Sequence, residues 1–316
     1  MLTACSRPTT EFTLTLGGDI MLARGGQPIF DNHGKTIDPW TDLQKQEVLV
    51  DQGSAIPDLF FANLESPLGA ASSAAGGMNL CSDPAQVKVL IECGIDLVSL
   101  ANNHRDDCSP NGADSTQAYL KAQNILSAGV GNDPIYLDTP DGKMAVIAAE
   151  DVTGSMDETA LLSSIKKARE SAKIVVVAVH WGNEYQAGPD ERQKSLAQQI
   201  ADAGADVIWG HHPHVLQKMQ WLQSTDGRQV LVLYSLGNLL ADQWMLEDAQ
   251  RSALVRLSFN GSRINAIEII PLVMVQNSKM LQPAAATDLR DRIFERLGVD
   301  GLASDNVTIQ LFPFAK

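Results

Sequence analysis

No run of lysine and arginine occurs in these 316 residues, and 24 basic side chains face 38 acidic ones. The formal net charge of -14 argues against nucleic acid as a partner, because a phosphate backbone requires a basic face. No segment approaches the roughly 18 consecutive apolar residues of a membrane-spanning helix. Cysteine is scarce, four in all and never spaced CxxC, so neither a zinc-finger nor a thioredoxin-type pattern is present. Histidine is scarce as well, yet three of the six, His211, His212 and His214, fall within four positions of "VIWGHHPHVLQ". With 44% hydrophobic residues the chain has ample material for a core.

Short apolar runs alternate with helical stretches. "FTLTLGGD", "PDLFFANLE", "GIDLVSLANNH", "KMAVIAAE", "KIVVVAVHWG", "GADVIWGHHPH" and "QVLVLYSLGN" read as strands. Helices are expected from Asp83, an N-cap followed by Pro84, over "GADSTQAYLKAQNILSAG" to Gly129, and near 157–171 and 189–203. Asn260-Gly261 joins two further strands as a hairpin, and a helix near 286–297 follows. This alternation implies an α/β protein with a mostly parallel sheet under helices and antiparallel additions at the end. No composition shift divides the chain, which gives one domain over 11–316 behind a short segment, 1–10. "GAASSAAGGMN" (69–79) reads as a mobile loop beside the site.

Five strands end in polar residues of one chemical kind: Asp19; Asn63 and Glu65; Asn102, Asn103 and His104; His180; and His211, His212 and His214. Parallel α/β sheets gather ligands at the carboxyl ends of their strands, so these groups are expected to converge on one crevice. Carboxylate, amide oxygen and imidazole form a donor set for Zn, Mn or Fe, not a thiolate site. His212 and His214, two apart, fall on one face of an extended segment that Pro213 stiffens. Alone, each residue has an ordinary reading as a turn aspartate, a solvated strand end or a hydrogen-bonded core histidine. Five such ends together point to a metal.

Leu2-Thr3-Ala4-Cys5 resembles the lipobox of bacterial lipoproteins, which implies lipidation at Cys5 and an extracytoplasmic domain, periplasmic or at the cell surface, tethered by residues 1–10. Cys81 and Cys108 lie in polar, turn-rich stretches, whereas Cys93 falls late in a helix; Cys81 is therefore expected to pair with Cys108.

The strings "GGDIMLAR", "FANLESPL", "DLVSLANNHRDD", "AVHWGNEY", "GADVIWGHHPHVLQ" and "LYSLGN", in order from Gly17 to Asn238, resemble the CapA family, the poly-γ-glutamate capsule biosynthesis domain related to calcineurin-like metallophosphoesterases. The resemblance implies a four-layer α/β/β/α sandwich. It implies one or two divalent ions (Mn, Zn or Fe) held by Asp19, Glu65, Asn103, His180, His212 and His214, with Glu65 bridging. It makes His104 the proton donor to the leaving group, oriented by Asp107. Glu184 is a further candidate acid or base, and Arg24, Asn63, His211 and Trp181 are candidates for holding substrate. The chain departs from the pattern at Met21, where metallophosphoesterases carry a ligand histidine, at Asn63-Leu64-Glu65, where they carry a bridging aspartate, and at Ser109, where the family has glycine. One metal position is thus short of ligands.

The family's association implies poly-γ-glutamate or another peptide polymer as substrate and a membrane-bound polymer synthase as a candidate partner. Three readings stay open. The chain is a metal-dependent hydrolase of amide or phosphoester bonds, amide chemistry being favoured by the loss at Met21. It is a metal-dependent peptide epimerase. Or it is a non-catalytic, membrane-tethered accessory of polymer synthesis and export.

Overall fold

The computed structural model describes residues 11–24, 27–28, 59–71, 78–109, 111–131, 133–275, 280–284, 287–299 and 309–311. Cys5, the 1–10 segment and the centre of the 69–79 loop lie outside the described residues.

Strands β1 (Glu11–Ile20), β2 (Leu59–Leu64), β3 (Leu97–Ser99) and β4 (Leu126–Ala128) pair side by side in parallel. A second sheet is built from β5 (Ile135–Thr139), β6 (Gly142–Glu150), β7 (Ile174–His180), β8 (Val207–His211), β9 (Leu216–Gln223) and β10 (Gln229–Leu236), in the order β9-β10-β8-β7-β6-β5. From β10 the chain crosses back: β11 (Asn238–Leu240) pairs with the end of β1. The hairpin of β12 (Arg251–Asn260) and β13 (Arg263–Val275) then extends the first sheet beyond β1, antiparallel, and β14 (Met280–Pro283) and β15 (Ile309–Leu311) pair with β13.

Side-chain alternation explains the layering. In β7, Ile174, Val176 and Ala178 enter a core between the sheets with Leu14, Leu16, Phe61 and Trp209. Val175, Val177 and Val179 point the other way, against Ile165 of helix α3 (Glu158–Ser171) and Leu196 and Ile200 of α4 (Glu191–Ala203). On the far face, Leu90 of α1 (Val87–Glu92) and Leu120 of α2 (Gly112–Ala122) cover Phe60, Ala62 and Val98. A fifth helix, α5 (Thr287–Leu297), buries Ile293 and Phe294 in the inter-sheet core. The order helix, sheet, sheet, helix is the expected four-layer sandwich.

Two features level the strand ends. Asp19 is in register with both Asn63 and Asn238, and His180 with Glu150 and His211. Gly18 allows the close approach behind this: a Cβ there would stand 2.0 Å from the Gly237 carbonyl oxygen, which accepts the Asp19 N–H at 2.9 Å.

Two local expectations change. The helix from Gly112 stops at Ala122 and does not reach Gly129; Asn124 turns into the left-handed region at φ 61° and releases Leu126–Ala128 as β4. His212 and His214 do not lie on an extended segment. They flank Pro213 in a bend, both at positive φ (93° and 57°), a backbone that non-glycine residues adopt at a cost of about 1–3 kcal/mol. Residues 216–223, which carry no clean alternation, form β9, one face of which packs Met219 and Trp221 on the inter-sheet core.

Candidate metal centre

Asp19 and Glu65 come from the ends of β1 and β2 and are both fully buried. Opposite them, across the gap between sheets, stand His180 from β7 and His211, His212 and His214 from the end of β8. Asp19 Oδ2 lies 3.2 Å from His214 Nδ1, and Glu65 Oε2 lies 3.8 Å from His214 Nε2. Glu65 Oε1 is 3.7 Å from His180 Nε2, and the Asn103 Oδ1 is 2.8 Å from that same nitrogen. The rings of His180 and His212 are 4.8 Å apart, and those of His212 and His214 5.7 Å. Ligand atoms of Asp19, Glu65 and His214 all lie within 4.8 Å of one another, and so do those of Glu184, His212 and His214.

This cluster is chemically incomplete by itself. Glu65 Oε2 and His212 Nδ1 are buried without a hydrogen-bond partner among the described residues, and each such orphan costs about 1–3 kcal/mol. Donor atoms around a transition metal at about 2.1 Å stand about 3–3.5 Å from each other, close to the spacing seen here. Divalent ions would satisfy the orphan atoms and neutralise the two carboxylates, so the residues fit a metal.

The protonation states point the same way. Burial would raise the Asp19 carboxyl, but its hydrogen bonds with His211 and His214 bring it well below the usual carboxylate range. Burial pushes Glu65 well up, and the neighbouring charges of Asp19 and Glu184 add to this while His214 opposes it. Burial and His212 hold His180 well down, and burial and His214 push His212 down to about 4. His214 goes the other way, to about 9, because Glu65 and Asp19 outweigh its burial.

The model of the PGA_cap family, bacterial capsule synthesis proteins, matches residues 13–243, which span β1 to the segment after β11 and every residue of this centre. The chain belongs to the PGA_cap family. Among its relatives, the capsule biosynthesis protein CapA of Bacillus anthracis is 29% identical over 93% of this chain and 74% of its own length. The PGA biosynthesis protein CapA of Bacillus subtilis strain 168 is 31% identical over 62% of this chain; the match spans 55% of that protein. A solved structure of a hypothetical protein from Thermus thermophilus superposes with a TM-score of 0.51 over 82% of this chain and 98% of its own, at 16% identity, a likeness of fold.

In this PGA_cap chain the remaining expected residues divide. His104 and Asp107 meet, Nδ1 to Oδ2 at 2.9 Å, and Asp107 also accepts the Leu80 N–H at 2.7 Å. Arg24 pairs with Asp242 at the crevice edge, close enough for its charge to oppose the upward shift of Glu65. Glu184 is exposed and sits with His212 and His214, a position that also makes it a candidate ligand.

Three of the substrate-holding assignments are corrected. Asn63 is fully buried; its Nδ2 donates to Asp19 Oδ1 at 2.8 Å, so it positions the carboxylate and cannot reach a substrate. His211 is 1% exposed, edge-on to Trp209, with Nδ1 3.3 Å from Asp19 Oδ1, beneath the centre and not facing its opening. Trp181 is buried in the sheet–helix core, stacked on Tyr234, its indole N–H donating to the Tyr234 carbonyl at 2.9 Å.

Two residues escaped the reading of the sequence. Asn238 places Oδ1 3.1 Å from His214 Nδ1 and fixes that ring; it follows a strand end as the other ligands do, which was the available signal. Tyr185, at φ 63°, brings its ring 6.1 Å from that of His214, and nothing in its neighbours marks it.

Cys81 and Cys108 form a disulfide, and Cys93 remains a buried thiol. The bridge ties the chain just after Asp107 to the chain just after Leu80, whose N–H holds Asp107. Closing a loop across 27 residues stabilises by roughly 3–4 kcal/mol in the chain-entropy account. Replacing both cysteines by serine is therefore expected to lower stability by about that amount in urea unfolding and to leave metal content unchanged, since it frees Asp107 and leaves the candidate ligands alone.

Proposed function

We propose that this chain is a metal-dependent hydrolase that cleaves amide bonds in a poly-γ-glutamate-type chain during capsule polymer synthesis or processing. The observation that carries the reading is the meeting of buried, partnerless carboxylate and imidazole atoms with a histidine–aspartate pair at the crevice beside them. Asp19, Glu65, His180, His212 and His214, with Asn103 and Glu184, would hold one or two ions of Mn, Zn or Fe. When bound, such an ion supplies a Lewis acid and a water that ionises near neutral pH. His104, held by Asp107, donates the proton that the departing amine needs. Asn63, His211 and Asn238 keep Asp19 and His214 in place. The names of the Bacillus relatives support a polyglutamate substrate; the substituted first motif, with the buried Met21 at the sequence position of a ligand histidine, supports amide over phosphoester chemistry.

The test is metal content per chain by plasma mass spectrometry on untagged protein, followed by hydrolysis of γ-linked glutamate oligomers and a phosphodiester control. About one to two equivalents of metal, with chelator-sensitive cleavage of the oligomers, is the expected result. A fully metal-loaded protein that turns over neither substrate would overturn the hydrolase reading.

A further inference from the structure

We propose a carboxylate-binding subsite beside the centre, in a cavity of about 570 Å³ lined by Arg251, Arg292 and Arg296 together with Glu247, Asp248 and Glu295. It rests on the reading of the substrate as a γ-linked glutamate chain, and it concerns how a chain of net charge -14 holds so anionic a polymer.

The pairing in this cavity is lopsided. The Arg251 side chain is 6% exposed, and its Nε is buried without a hydrogen-bond partner among the described residues. Its remaining guanidinium nitrogens contact Glu247 and Asp248. Glu247 is 76% exposed, yet its single Oε1 touches Arg251 and lies 3.7 Å from Arg292 Nη1. Asp248 is engaged more firmly, with Arg296 Nη2 at 2.6 Å as well as Arg251. A purely structural ion pair gains by shielding both partners. Here Arg251 is buried and held, and one acid, a glutamate carboxylate on a short 3₁₀ turn (Glu247–Gln250), stands in solvent between it and Arg292. It occupies the place that a glutamate carboxylate of the polymer takes when Glu247 swings aside, which leaves the subsite with one uncompensated positive charge.

The cavity is coupled to the centre through short connections. Asn238, whose Oδ1 faces His214, donates from Nδ2 to the Ala249 carbonyl at 3.0 Å and so anchors the turn that carries Glu247. Ala187, which also lines the cavity, follows two residues after Tyr185, whose ring faces His214. A polymer lying across the centre and past Tyr185 therefore reaches the arginines with its next carboxylates.

The test is the affinity of a γ-linked glutamate tetramer, by calorimetric titration at low salt, for the whole metal-loaded chain carrying His104→Ala to suppress turnover. Adding Arg292→Gln is expected to weaken binding about tenfold, and adding Glu247→Gln to tighten it several-fold. Both effects should vanish with a tetramer whose carboxylates are amidated, and should fade in high salt. Both residues are largely exposed, and thermal melting checks that both variants fold. Opposite signs are the signature. Equal signs, or no change in either variant while the tetramer still binds, would overturn the subsite and leave the hydrolase reading standing. No binding of the tetramer to the parent would overturn both.

Discussion

Turnover is expected to fall about 10²- to 10⁴-fold when His104 is replaced by alanine, with folding and bound metal unchanged. The separation of effects follows from position. His104 is not among the groups whose donor atoms cluster around Asp19 and Glu65, but it is close enough for its charge to act on His212. Its Nδ1 is engaged by Asp107, which leaves the Nε2 edge to meet a substrate, and both side chains are about one-sixth exposed, at 16%. Asp107 is itself held by the Leu80 N–H, so the imidazole is aimed before substrate arrives. Steady-state kinetics, with metal per chain and near-ultraviolet circular dichroism measured on the same sample, checks this. Unchanged turnover would remove His104 from the chemistry; equal loss of turnover and metal would make it a ligand.

The second large effect is expected at Glu65. Changing it to glutamine should abolish the stabilisation that metal brings, about 2.7 kcal/mol at a free metal concentration 100 times Kd, yet leave the metal-free protein at least as stable as the parent. Burial beside Asp19 and Glu184 makes the ionised form of Glu65 costly, and glutamine has nearly the same shape without the charge. The sign in pH follows from linkage. A carboxyl whose folded-state value lies above its unfolded one binds more protons when folded, so the metal-free parent loses stability as pH rises through that window; the glutamine variant lacks this loss. Scanning calorimetry with and without added Mn or Zn reads both effects. A metal-induced rise in Tm that survives the substitution would show that Glu65 is not a ligand.

Much of this was legible in the chain itself, for identifiable reasons. Strands fully buried on two faces, such as "IVVVAVH", leave little ambiguity, and the helix expected near 189–203 is α4 (Glu191–Ala203). The candidate ligands stood out because each falls at or just beyond the end of such a strand. What depends on side-chain direction was less legible. Asn63, His211 and Trp181 lie in the same motifs as the ligands, but the β-bulge after Asp19, the bend at Pro213 and the close contact of Gly210 with Tyr234 decide which way each points. The glycine contacts that allow this are long-range, and a local pattern carries no trace of them. The α2–β4 boundary was missed for a related reason: "NILSA" continues a helical spacing, and only pairing with β3 makes it a strand.

The crossing of β11 from the second sheet to the end of β1 has a mechanical consequence. Asp19 and Glu65 belong to one sheet, and the imidazoles to the other. Just beneath them the Trp209 indole N–H reaches across to the Gly17 carbonyl at 2.9 Å, while Asn238 belongs to the strand that changes sides. The centre is a seam, and the quality of its fit is set by how firmly two stacked sheets are kept from sliding over one another. Small slippage anywhere along the apolar interface is thereby converted into a mismatch at the donor atoms, so remote packing residues tune the site as surely as those that line it.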